Sequence, residues 1–345
     1  MLDSYLKPIF IQKYNIYDIF HNDINQLVII TPKNDTSPLE IYLKTKKEKI
    51  EFVIQTDGRH NHTVIYYCNE QIYNMTVTLI INGENIDCSV NKYPSFKDEI
   101  IMSTEVKNED KYIVQWIEYH LHFGITRFII YDNKNSSDTE KKVRERTNDN
   151  CVSDLSTLLH KYIKNNIVIL IDWRYELFTK YSRTGQTTQQ NHSIYAFRNS
   201  KYIGLIDIDE YINSQIPEIN LDKIFSKIMI NNNLSRESFG GFTLRQKPFY
   251  NPNNKCVNNY NFLKIYDCDH MANGGRKVFV IPTNIGSFSV HVIACGKRVI
   301  QISPNILYFN HYLYLNKKDR GINVTNIQDN SIKRIVDLLD INPKV

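Results

Sequence analysis

Short runs of β-branched and aromatic residues, bounded by turn-forming residues, recur at the start of the chain: 26–31, 39–43, 50–55, 63–68 and 75–81. Asn82-Gly83 follows the last run, a pair suited to the left-handed backbone of a two-residue hairpin turn. This pattern predicts a smaller all-β domain over residues 1–94. Beyond Pro94 the period changes, and strands alternate with helices: strand 99–104, helix 110–123, strand 127–131, helix 153–164 and strand 167–172. The series continues with helix 184–199, strand 202–207 and helix 222–231. Such alternation predicts an α/β domain over 95–320, a mostly parallel sheet flanked by helices, with residues 321–345 as a C-terminal helical tail. Ligands of such sheets bind at the carboxyl ends of the strands.

Helix 110–123 carries Ile113, Trp116, Ile117 and Leu121 at the spacing of a buried stripe, so Trp116 reads as core and not as a platform for a sugar ring. Tyr66, Tyr67 and Tyr73 could stack on sugar rings, but alternating tyrosines in strand runs read first as packing residues. His192, inside a helical pattern, reads as a core or capping group.

Composition narrows the class of protein. The chain has 345 residues, 42% of them hydrophobic, enough to bury a full core. Its net charge of +5 comes from 42 basic and 37 acidic side chains with no block of like charge, which points away from nucleic acid and suits an anionic substrate. Cys68, Cys88, Cys151, Cys256, Cys268 and Cys295 are far apart, without the spacing of a zinc site or a disulfide scaffold, and read as mostly reduced. No signal peptide or membrane-spanning run is visible, so a soluble protein of a cytoplasmic compartment is expected. The oligomeric state is not legible.

The densest candidate chemistry is Ile206-Asp207-Ile208-Asp209-Glu210-Tyr211. A strand that ends in two carboxylates one residue apart can converge them on one hard cation and leave positions open for phosphate oxygens, although Asp-x-Asp also occurs merely as turn decoration. Two further strand ends are polar: Thr104, Glu105, Asn108 and Glu109 in one, Asp132 and Asn133 in the other. Their carboxylates and amides can bind a pyrimidine and ribose hydroxyls, or serve only as turn and helix caps. Arg276 and Lys277 follow Asn273-Gly274-Gly275, a flexible turn able to bring cations toward a pyrophosphate.

Several blocks in order carry a family resemblance: Asn108-Glu109, Gln115-Trp116-Ile117-Glu118-Tyr119-His120, Phe123-Gly124-Ile125 and Tyr131-Asp132-Asn133 with Ser136 and Asp138. Gln189-Gln190-Asn191-His192, the acidic cluster, Lys277-Val278-Phe279-Val280-Ile281-Pro282, Val290-His291 and Asn310-His311-Tyr312 continue it. The sequence resembles glycosyltransferase family 92 over roughly 99–312. The resemblance implies a GT-A fold and transfer of a sugar, often galactose, from a nucleotide sugar such as a UDP-sugar to a glycan or other hydroxyl acceptor, typically with inversion. It implies Mn²⁺ or Mg²⁺ held by Asp207, Asp209 and His311, with Asp209 a direct ligand and Asp207 acting through water or the ribose. Gln190 and Lys277 would join the donor site, Glu210 would orient a neighbour, and His291 ranks behind His311. For the base that takes the acceptor proton, the candidates are Asp267 and Asp269, with Glu237 behind them. Gln115 replaces the usual Glu, and residues 250–275 follow no family pattern. Two other classes remain at this point: a carbohydrate-binding or interaction protein with a degenerate catalytic domain, and another nucleotide-dependent α/β transferase. Intact Asp207, Asp209 and His311 speak against the first, and the absence of P-loop and dinucleotide glycine motifs narrows the second.

Overall fold

The computed structural model describes residues 5–32, 39–56, 63–69, 75–106, 112–133, 154–173, 184–249, 263, 267–268, 275–289, 291–312 and 327–338. The chain begins with ten strands: β1 (Tyr5–Leu6), β2 (Asp18–His21), β3 (Leu27–Pro32), β4 (Ile41–Lys44), β5 (Lys49–Glu51), β6 (Val53–Thr56), β7 (Thr63–Cys68), β8 (Thr76–Ile81), β9 (Glu84–Ser89) and β10 (Asn91–Lys92). Next come β11 (Ile100–Val106), α1 (Ile113–Leu121), β12 (Arg127–Asp132), α2 (Leu155–Leu158), α3 (His160–Lys164), β13 (Val168–Asp172), α4 (Thr184–Ala196), β14 (Tyr202–Leu205), β15 (Glu210–Ser214) and α5 (Leu221–Asn231). The last part holds β16 (Gly241–Phe249), β17 (Asp267–Cys268), β18 (Arg276–Val280), β19 (Ile285–Ser289), β20 (Val292–Gly296), β21 (Val299–Gln301), β22 (Leu307–Tyr312), β23 (Ile327–Gln328) and α6 (Ser331–Leu338).

The protein is mixed α/β. In the large sheet β1, β13, β12, β11 and β14 are all parallel neighbours. Past β14 the expectation of a parallel sheet gives way to mixed pairing: β18 is antiparallel to β14 and β16 to β18, while β22 runs parallel to β16 and antiparallel to β15. Direction there no longer follows the alternation of strand and helix: β14 and β18 pair antiparallel although α5 lies between them, and β16 and β22 pair in parallel with no α-helix between them among the described residues.

Strands buried on both faces explain the continuous apolar runs. In β12, Phe128 and Ile130 join the cluster under α1 and α5, while Ile129 and Tyr131 join the cluster on the opposite face. β3 alternates likewise: Val28 and Ile30 meet that same second cluster, and Leu27 and Ile29 pack into a third, between the two N-terminal sheets. Residues before Pro94 therefore share a core with β11–β14, and β1 adds a strand beside β13. The two N-terminal sheets order as β10-β2-β3-β7-β6 and β5-β4-β8-β9. Asn82 (φ 48°) and Gly83 (φ 85°) close the β8–β9 hairpin as the pair requires.

Three expected elements differ. The run 50–55 divides at Phe52, which is buried in the third cluster where the chain crosses from one N-terminal sheet (β5) to the other (β6). Helix 153–164 breaks at Leu159, and strand 202–207 ends at Leu205. The C-terminal segment contributes β23 and α6, whose Ile332 and Ile335 are buried and whose Arg334 donates to the Ser214 carbonyl of β15 (2.7 Å). Cys68, Cys88, Cys268 and Cys295 form no disulfide among the described residues. No helix among them is long and apolar enough to cross a membrane.

Candidate active site

The acidic cluster lies where β14 ends at the carboxyl edge of the parallel strands. Ile206 and Ile208 are buried in the core beneath α1 and α5, so the residues that alternate with them, Asp207 and Asp209, turn outward. The Asp207 carbonyl accepts from the Glu210 amide (3.2 Å), and the Glu210 carboxylate accepts from the Asp207 amide (3.0 Å), which locks the turn. From Glu210 the chain enters β15, paired to β22 with Glu210 opposite His311. That register carries His311 to the cluster from a hundred residues further along the chain. The Tyr312 amide, donating to the Asp209 carbonyl (2.9 Å), extends it.

His311 Nε2 lies 3.4 Å from Asp209 Oδ2, and Nδ1 lies 3.7 Å from Glu210 Oε1. Ligand atoms of Asp209, Glu210 and His311 all fall within 4.8 Å of one another. Two carboxylates and an imidazole form an oxygen-and-nitrogen set suited to a hard or borderline divalent cation, and oxygen ligands at roughly 2.0–2.6 Å from an ion span distances of this order. The donor set therefore fits a metal.

Asp207 faces elsewhere. Its Oδ2 pairs with Lys277 Nζ at 2.6 Å, and its Oδ1 accepts from Gln186 Nε2 of α4 at 3.2 Å. The sequence suggested that Lys277 would be presented by a flexible glycine turn. It is instead 2% exposed, in the second position of β18, with its ammonium also 3.0 Å from Glu210 Oε2. Glu210, wholly buried, accepts a further bond from Gln246 of β16 and so ties β14, β16, β18 and β22 together.

The charges shift accordingly. Burial and the neighbouring Asp207 and Asp209 carboxylates push Glu210 up to about 7, against the pull of Lys277 and His311. Burial works against a charged His311, but Asp209 and Glu210 more than offset it and raise the imidazole to about 9. Burial would raise Asp207; Lys277, with smaller help from His311 and His291, holds it below the ordinary carboxylate range.

Other candidates divide by location. Thr104 and Glu105 on β11 lie beside the end of β12, where Asp132 and Asn133 are buried, so these two polar strand ends are neighbours. The Asn133 side chain donates to Glu105, and its amide to the Val106 carbonyl (3.0 Å). Gln190 is buried within α4. Asp267 opens β17 opposite Gln328 of β23; Asn108, Glu109 and Asp269 lie outside the described residues. Trp116 is buried, donating its indole N–H to the Glu210 carbonyl (3.0 Å), and His192 is core as expected. Sequence reasoning missed Gln186 and Gln246, single amides in a polar helix and in a strand, with no spacing signal to distinguish them.

Fold and site together define a mixed α/β protein with a carboxylate-rich, histidine-bearing site at the ends of parallel strands. Residues 100–341, beginning with the first residue of β11, match glycosyltransferase family 92, and the chain belongs to that family. A glycosyltransferase family 92 protein of Ricinus communis is 22% identical over 231 residues, covering 63% of this chain and 35% of the relative. The chain thus spans about a third of that relative's length.

Proposed function

We propose that this protein is a metal-dependent glycosyltransferase of GT-A type. It moves a sugar, galactose being the first candidate, from a UDP-sugar to a hydroxyl of a glycan or other acceptor, with inversion. The observation that carries the reading is the convergence of Asp209, Glu210 and His311, from a strand-end turn and a distant strand, on one point. Family membership supports the class of reaction.

Asp209 and His311 would hold Mn²⁺ or Mg²⁺, with Glu210 behind them and Asp207 left to face the ribose or a water ligand. Such an ion supplies Lewis-acid stabilisation of the departing diphosphate, worth several kcal/mol. Lys277 limits the negative charge that the donor meets: without it three carboxylates would repel a diphosphate. Glu105, Asp132 and Asn133, on adjoining strand ends, would read the nucleoside. Inversion needs a carboxylate to take the acceptor proton on the face opposite the leaving group, the role proposed for Asp269 or Asp267.

Thermal shift with UDP, GDP and CMP, each with and without Mn²⁺, tests the reading. UDP with Mn²⁺ should raise the melting temperature most, since a ligand at a hundred times its Kd stabilises by about 2.7 kcal/mol. A larger response to GDP or CMP would reassign the donor. No response to any nucleotide with metal would sink the proposal.

A further inference from the structure

The least expected element is α4. Its sequence is polar, yet from Thr187 to Ser193 no residue is more than 3% exposed. It lies between two sheets, packed on β11 of the large sheet and on β3 and β7 of the N-terminal one. A buried polar side chain must find a partner, and in α4 successive positions find theirs on different elements. Thr188 Oγ1 meets Thr63 Oγ1 of β7 at 3.1 Å, and Gln189 donates to Ser103 Oγ of β11 at 2.7 Å. Asn191 donates to the Phe288 carbonyl of β19 and accepts from its amide, both at 2.8 Å. His192 stands between Tyr131 of β12 (Nδ1 to hydroxyl, 2.7 Å) and Asp18 of β2 (Nε2 to Oδ2, 3.0 Å). In the first turns Gln186 reaches Asp207 of the acidic site. A helix turns 100° and rises about 1.5 Å per residue, so a shift of one position breaks every one of these bonds.

Asp18 is the fixed point behind the helix. Fully buried, it accepts from the Ile9 amide (2.7 Å), the Ile19 amide (2.8 Å), Asn91 (3.0 Å), the Tyr93 hydroxyl (2.6 Å) and His192. Only a carboxylate accepts at both oxygens, and an amide in its place keeps one acceptor and takes away the other, the one shared by the Tyr93 hydroxyl and His192 Nε2.

We infer that Asp18, acting through His192, positions α4 so that Gln186 holds Asp207 in place, which makes the N-terminal sheet part of the donor site and not a separable appendage. The donor-site half of this statement rests on the function proposed above. Asp18 and Gln186 are positioning residues: Asp18 acts through its bond to His192, and Gln186 touches Asp207.

Hydrogen exchange on the full chain, read by mass spectrometry well below the melting temperature, tests the mechanical link. Asp18→Asn should speed exchange in residues 187–196 and 206–210 while β8 and β9 keep wild-type protection. Exchange unchanged at 206–210 would overturn the inference. Gln186 is only half-buried, so Gln186→Ala should fold and should loosen 206–210 with α4 still protected; wild-type exchange there would equally count against it. In a second measurement both variants should bind UDP with Mn²⁺ about tenfold more weakly, the loss expected for one hydrogen bond to a charged group. Leu79→Ala, which truncates the core between the N-terminal sheets away from α4, should lower the melting temperature and leave that affinity intact. Equal affinity in Asp18→Asn and wild type would refute the positioning role. A wild-type protein that binds no nucleotide would end the donor-site reading, and the exchange data would still decide whether Asp18 positions Asp207.

Discussion

Lys277→Met removes the ammonium that pairs with Asp207 and Glu210 and keeps much of the side-chain volume. In the wild type that ammonium, 2% exposed, sits 2.6 Å from Asp207 and 3.0 Å from Glu210. Breaking a buried ion pair by removing one partner costs about 3–5 kcal/mol. The low end applies here, because the Asp207 side chain is 41% exposed and solvent screens its share. With about 2.1 cal/mol/K of unfolding entropy per residue over 345 residues, ~3 kcal/mol lowers the melting temperature by roughly 4 °C. The loss should depend on pH. Glu210, at about 7, lies above its ordinary value, so its neutral form favours the folded state; that contribution is complete below the ordinary carboxylate value and disappears as pH rises through 7. Without Lys277 the Glu210 carboxyl rises further. The gap between variant and wild type should therefore widen from pH 6 to pH 8, and near pH 5, with Glu210 neutral in both, shrink toward the share of Asp207. Melting curves followed by circular dichroism at pH 5, 6, 7 and 8 measure this. A variant within 1 °C of wild type at pH 8, or a gap that narrows as pH rises, would refute the account of Lys277 as the counter-ion of both carboxylates.

Asp209→Ala should lower transfer about a hundredfold, the rate equivalent of ~3 kcal/mol, and His311→Ala should raise the Mn²⁺ concentration needed for half-maximal rate; EDTA should abolish transfer in a radiolabelled-donor assay and Mn²⁺ restore it. A fragment beginning at Tyr93 takes Phe20, Val28, Ile30 and Ile65 from the core around α4; at about 1.5–3 kcal/mol for each buried side chain it should be insoluble or molten, and a soluble fragment with a sharp melting transition would contradict the shared core. Burial would raise Asp329, but Lys247 at 2.7 Å, Ser331 and Tyr308 hold it down at about 2, so its stabilisation is present above the ordinary carboxylate value and is lost as pH falls through 2. Asp329→Asn should accordingly lower the melting temperature at pH 7 and match the wild type near pH 2.

What the chain determines by itself is local and periodic. Alternation of β-branched residues located β3, β7 and β8, the Asn82-Gly83 pair the turn that follows β8, and the stripe through Trp116 helix α1, because each depends on neighbours within a few residues. The acidic cluster was legible for the same reason: apolar Ile206 and Ile208 alternate with carboxylates at the end of a strand, and order along the chain carried the family resemblance. Tertiary structure alone decided which carboxylate meets which cation. Asp207 and Asp209 share one local pattern, yet one faces Lys277 and the other His311, since their partners arrive on β18 and β22 through strand pairings that no local pattern encodes. It also decided the burial of α4, whose sequence is polar from Thr184 to Ser193. Burial became tolerable there because Thr63, Ser103, Phe288, Tyr131 and Asp18, spread over five strands, supply hydrogen bonds to Thr188, Gln189, Asn191 and His192, and a set of long-range partners leaves no periodic trace in the sequence.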